Sequence, residues 1–199
     1  MEKLILTSAT LENAQEYLNT GPLMRYEQDI LREIITAIGA QDAATLEYLN
    51  SFGDDFRHIT MNLHAYRKGL EFGFTDIAFD QYGWFKRPVF LDAEDIKFGD
   101  SDRYGEYSII HIGRGPGQVW TYALNYSYGT AGGGSALSVY DKKFPDRDTA
   151  LKTGLADLKA RMLHKVGDTD TTNYKQTVIS ATLKAISALE ISFVQLSLF

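Results

Sequence analysis

The sequence predicts an α+β fold, with N-terminal helices, a central antiparallel sheet in meander order, and C-terminal helices. Two observations carry this reading. Apolar residues recur at three- and four-residue spacing through about residue 72 and again after 146. Between these, residues 73–145 lack a helical period, are dense in aromatics and are punctuated by glycine. The 199 residues show no internal repeat and no low-complexity run. They are expected to form one domain over residues 1–190, followed by a tail at 191–199.

The helices follow from stripes and caps. Pro22 suits a first helical turn, and Leu23, Tyr26, Ile30, Ile34 and Ile38 recur on one face until Gly39. Asp42 is a natural cap for a second helix reaching Asn50. Asp54 and Asp55 precede a third, striped by Phe56, Ile59, Leu63, Tyr66 and Leu70 and closed by Gly73. Asp146 or Asp148 caps a helix carrying Leu151, Leu155, Leu158 and Met162. The last helix follows Gly167–Thr172 and carries Ile179, Leu183 and Ile186, widened by Val178 and Leu189.

The middle of the chain reads as strands and turns. Residues 74–90 suggest short strands, and the acidic stretch Asp92 to Glu106 a loop around Ile96 and Phe98. Tyr107 to Ile112 and Val119 to Tyr128 are two strands joined by the turn Gly113 to Gly117. A third strand is expected over Ser135 to Tyr140, after a glycine-rich link at 129–134.

Composition removes several function classes. The chain has no cysteine, which excludes disulfides, thiolate zinc sites and cysteine nucleophiles. The short apolar run Leu4 to Leu6 meets Thr7, Ser8 and Thr10 at once, too short for a secretory core or a membrane span. A cytoplasmic protein with no membrane partner is therefore expected. A net charge of −6 and a pI of about 5.2 argue against autonomous binding to duplex DNA through phosphates. The charge is uneven: residues 1–100 hold 9 basic and 17 acidic groups, residues 101–199 hold 11 and 9. An acidic decoy that mimics DNA is one reading of the first half, but its acids are interspersed with apolar stripes rather than arrayed on one surface.

Few residues point to chemistry. The glycines at 129–134 lack the lysine that a phosphate-binding loop requires, since Ser135 and Ala136 follow, and they join strand to strand rather than strand to helix. Asp100-Ser101-Asp102 opens like a calcium loop, but its fifth position is Tyr104 and its twelfth is His111. His58 and His64 stand six apart and face different ways on one helix, while His111 lies in a strand and His164 at a helix end. No serine occupies a nucleophile elbow. The reading is a non-enzymatic protein with no catalytic residue, no cofactor and no metal.

The row Trp120, Tyr122, Leu124, Tyr126 and Tyr128 supports two uses. The opposite parity (Val119, Thr121, Ala123, Asn125, Ser127) is small and polar, so the aromatic face is the natural core face against the Leu151 helix. The alternative is a single-stranded nucleic-acid-binding module. Trp120, Tyr122 and Tyr126 would stack bases, and Lys142, Lys143 and Arg147 would form a basic rim continued by Lys159, Arg161 and Lys165.

The sharpest signal is Gln195-Leu196-Ser197-Leu198-Phe199. It resembles the short peptide by which many bacterial replication and repair proteins dock on the DNA polymerase sliding clamp, which reads Gln, a small or aliphatic residue, Ser or Asp, Leu, then Phe. The resemblance implies that Gln195 orients the segment, Leu196 and Leu198 fill a groove, and Phe199 is the anchor. The alternation from Phe193 to Phe199 also reads as a short strand finishing a sheet, which would bury side chains worth roughly 1.5–3 kcal/mol each. Trp120 to Ser135, Leu137 to Tyr140, Arg147 to Met162, Asp168 to Gln176 and the Leu198-Phe199 ending are similar to uncharacterised proteins on mobile elements of Bacteroidetes-type bacteria. That likeness covers roughly the last 80 residues. It carries no activity and implies a plasmid, phage or conjugative-element context, in which an accessory protein borrows the host clamp.

Overall fold

The computed structural model describes residues 4–196, with side chains through Phe193. Among the described residues are six α-helices and one four-stranded sheet, in the order helices, sheet, helices, so the chain is α+β. Its contacts divide into two units, Met1–Pro88 and Val89–Phe199.

The first unit is helical: α1 (Leu11–Thr20), α2 (Arg25–Ala40), α3 (Ala43–Asn50) and α4 (Phe56–Leu70). Asp42 and Asp55 cap α3 and α4 as expected, accepting the backbone N–H of Thr45 at 3.1 Å and of His58 at 2.9 Å. The expected start of α2 at Pro22 is displaced. The helix begins at Arg25, where Glu27 reaches back to the Met24 N–H at 2.7 Å. Helix α1 opens on a reciprocal Thr10–Asn13 capping box that its weak apolar stripe does not advertise. Ile30, Leu31, Ile34, Leu49, Phe52, Phe56, Ile59 and Leu63 form the core. Residues 74–88 make one isolated bridge, Phe79 to Phe85, rather than a run of strands. This loop is held by the buried Asn62, whose amide donates to the Phe52 and Gly83 carbonyls at 2.7 and 2.8 Å and accepts the Phe85 N–H at 2.9 Å.

The second unit sets β1 (Leu91–Gly99), β2 (Tyr107–Arg114), β3 (Trp120–Ser127) and β4 (Gly132–Gly134) in an antiparallel meander. Helix α5 (Arg147–His164) packs on β2 and β3, and α6 (Gln176–Leu196) on β1 and β2. Ile96 pairs with Ile110, and Ile110 with Leu124; Ile112 pairs with Tyr122. These cross-strand rows lie under Leu151, Leu155, Leu158, Met162, Ile179 and Ile186. Asp146 supplies the α5 cap through the Thr149 N–H at 2.7 Å.

Four expectations are corrected here. The acidic stretch from Asp92 begins as a strand, because its acids fall on solvent-facing positions or pair with arginines while Phe98 reaches the core. Residues 135–140 are not a strand. The edge is instead the glycine link itself, because a side chain there would collide with β3. A Cβ on Gly134 would overlap the Asn125 side chain and sit 2.7 Å from the Leu124 carbonyl, and one on Gly133 would lie 2.8 Å from the Tyr126 hydroxyl. Thr121 and Ala123 are buried, although their parity predicted an open face. The Thr121 hydroxyl donates to the Lys142 carbonyl at 2.8 Å, which draws residues 141–144 over this end of β3. Phe193 to Leu196 continue α6, so a strand does not begin there, and the helix runs past the boundary expected at 190.

The glycine edge yields a test. In a Trp84→Phe background Trp120 is the sole tryptophan and reports on the second unit. Gly134→Ala is expected to destabilise that unit by about 1–3 kcal/mol in urea unfolding, through overpacking against Asn125 and Leu124. Unchanged stability would show that β4 does not need bare backbone.

Candidate functional site

The two faces of the second unit's sheet carry different chemistry. On the helix-facing side, Tyr122 and Tyr128 are buried, and Trp120 and Tyr126 are half-buried against the same core. Trp120 is further fixed by a two-way backbone bridge with Phe144, at 2.9 and 2.8 Å. The aromatic row therefore forms the sheet's inner wall. Of the expected basic rim, Lys142 and Lys143 are exposed, while Arg147 pairs with Glu94 and lies 3.5 Å from Asp148.

Where the row meets α5, its tyrosines organise charge. Asp157 and Arg161 stand four apart on the helix, the spacing at which such pairs ordinarily bridge. Here each is held by a tyrosine instead. The Tyr122 hydroxyl donates to Asp157 Oδ2 at 2.7 Å, and the Arg161 guanidinium carbon lies 4.7 Å from the centre of the Tyr126 ring. Tyr122 and Tyr126 lie on one face of β3, the face against which α5 packs. These residues, with Asp141 and Lys142 from the following loop, line a cleft of about 380 Å³ beside β4.

Electrostatics follow from that geometry. Burial, then the hydrogen bond to Asp157, pushes the Tyr122 phenol well above the ordinary tyrosine value. Burial also raises Asp141 above the usual aspartate value, against the Ser138 N–H that its carboxylate accepts at 2.7 Å. Tyr128 is raised as well, first by burial and next by Tyr126.

The opposite face of the sheet holds a network across three strands. His111 Nδ1 lies 2.6 Å from Asp95 Oδ1, and His111 Nε2 lies 3.0 Å from Asn125 Nδ2. A carboxylate only accepts, so Nδ1 carries a proton toward Asp95, and the Asn125 amide faces Nε2. Both ring nitrogens are engaged. In the first unit His58 stacks on Trp84 at 4.2 Å with Nδ1 2.9 Å from Asp55, and His64 stacks on Tyr26 at 3.9 Å. At the calcium-like turn, Asp100 accepts the Asp102 N–H at 3.1 Å and sits 3.6 Å from Arg103. Among the described residues no group of three or more acids and histidines is placed to hold a metal.

The clamp-like peptide straddles the edge of what is described. Gln195 and Leu196 form the last residues of α6, and Ser197, Leu198 and Phe199 lie outside the described residues. Sequence reasoning found the aromatic row and the caps Asp42, Asp55 and Asp146. It missed the pairing of Tyr122 with Asp157 and the Asp95–His111–Asn125 network. Comparison with protein-family models, curated proteins and solved structures finds no match.

The raised Asp141 has a consequence for stability. The folded protein holds this proton at pH values where the unfolded chain has already released it, so stability falls as pH rises through that interval. Above it the ionised carboxylate is a net cost. Asp141→Asn retains an acceptor for the Ser138 N–H and removes the charge. It is expected to be at least as stable as the parent at pH 7, and its stability should fall less than the parent's between acid and neutral pH in urea unfolding. A neutral-pH loss larger than about 1 kcal/mol would contradict this account of the burial cost.

Proposed function

We propose that this chain is a non-enzymatic accessory protein that docks on a DNA polymerase sliding clamp through Gln195, Leu196, Ser197, Leu198 and Phe199. Its setting is the maintenance of a mobile element or of host DNA. The observation that carries the reading is the pentapeptide sequence, in which every position matches the clamp-binding pattern. Its attachment supports the same reading. Val178, Ile179 and Ile186 are buried, and Leu189 and Phe193 continue the apolar face of α6 onto the core. The first two residues of the peptide, Gln195 and Leu196, end this helix, which is seated in its own unit. Gln195 offers both a donor and an acceptor for orientation, and Leu198 and Phe199 offer compact apolar groups for a preformed groove.

The electrostatics are compatible with a protein partner rather than phosphate binding. The unit from Val89 carries 12 basic and 13 acidic side chains, so it provides no net positive field. The inner wall of tyrosines is occupied by α5 rather than open to stacked bases.

The test is calorimetric titration of the full chain with purified bacterial clamp. Five residues bury few atoms, so affinity of about micromolar is expected, with avidity added where the clamp is multivalent. Removing Leu198 and Phe199 is expected to weaken binding at least about tenfold, with little dependence on salt. Equal binding by the intact and shortened chains would overturn the proposal.

A further inference from the structure

The cleft beside β4 displays charges that the fold leaves without charged partners. Among the described residues Arg161 contacts the Tyr126 ring but forms no ion pair, and Lys142 uses only its backbone carbonyl, toward Thr121. A guanidinium has five donors and an ammonium three, so both cations retain capacity for an oxyanion. The carboxylates are also incompletely used. Asp157 receives one hydroxyl, from Tyr122, and Asp141 one N–H, from Ser138, whereas a carboxylate offers about four acceptor sites.

The cleft therefore presents two cations and two carboxylates around about 380 Å³, a volume suited to a molecule the size of an amino acid or dipeptide. A simple anion would be repelled by Asp141 and Asp157, and a simple cation by Lys142 and Arg161. A molecule bearing both charges satisfies both pairs. The tyrosines explain why this arrangement persists. They hold Asp157 and Arg161 separately, so the two do not neutralise each other along the helix.

We propose that this cleft binds a small zwitterion, its carboxylate received by Arg161 and Lys142 and its ammonium group by Asp141 and Asp157. The site is distinct from the peptide at 195–199, and its occupant is a metabolite-sized molecule rather than a macromolecule.

The experiment is calorimetric titration of the full chain with glycine, γ-aminobutyrate and diglycine, which separate ammonium and carboxylate by different lengths. Acetate, methylammonium and inorganic phosphate serve as single-charge probes. At least one zwitterion is expected to bind saturably at about millimolar strength or tighter, and the single-charge probes at least about tenfold more weakly. Arg161→Gln and Asp141→Asn are each expected to weaken that binding about tenfold or more, since each removes a charged contact to the ligand. Lys175→Gln, in the same unit but outside the cleft, should leave it unchanged. No saturable binding by any zwitterion, equal binding of acetate or phosphate, or full affinity in the Arg161→Gln protein would each overturn the proposal.

Discussion

Gly154 sets how closely α5 approaches the sheet. A Cβ at this position would lie 3.1 Å from both Ile110 Cγ2 and Tyr122 Cδ2, tighter than ordinary contact. A glycine inside a helix costs about 1 kcal/mol relative to alanine. That cost is offset by the close seating it permits, which buries Leu151, Leu155, Leu158 and Met162 against β2 and β3. The same seating brings the Tyr122 hydroxyl to Asp157 and the Tyr126 ring under Arg161. Core packing and the charge layout of the cleft thus share one cause.

Glycine recurs in this unit at positions where a Cβ would collide with a close neighbour. Gly113 lies beneath Phe90 and Leu137, where a Cβ would come within 2.8 and 2.7 Å of their side chains. Gly132, Gly133 and Gly134 form an edge strand in which every position is too close to β3 for a side chain. What composition alone suggests is a flexible link is a paired edge, because pairing supplies its backbone with partners that flexibility would leave to water.

How much was legible follows from the range of each interaction. Asp42, Asp55 and Asp146 act within three residues of their partners, so the pattern of acid before stripe located those helix starts. The period of Leu151, Leu155, Leu158 and Met162 and the parity of Trp120 to Tyr128 likewise depend on neighbours alone. What escaped depends on distant residues. Strand β1 is stabilised by its ladder to β2, and the burial of Thr121 and Ala123 depends on a loop some twenty residues on. Tyr122 and Asp157 are 35 positions apart, and His111 meets partners 16 and 14 away. No local pattern encodes such meetings. The peptide from Gln195 is the reverse case, since a linear motif is read directly from its residues.

The two surfaces for which roles are proposed, the peptide that begins at the end of α6 and the cleft beside α5, both rely on helices anchored to one sheet. The dependence of the cleft on tyrosine-held charge is the part of the account most open to direct measurement. A double-mutant cycle with Tyr122→Phe and Asp157→Ala, read by urea unfolding through Trp120 in the Trp84→Phe background, isolates that interaction. A favourable coupling of roughly 1 kcal/mol is the predicted result. Strictly additive effects of the two substitutions would contradict it, and with it the claim that β3 holds the charges of α5 apart.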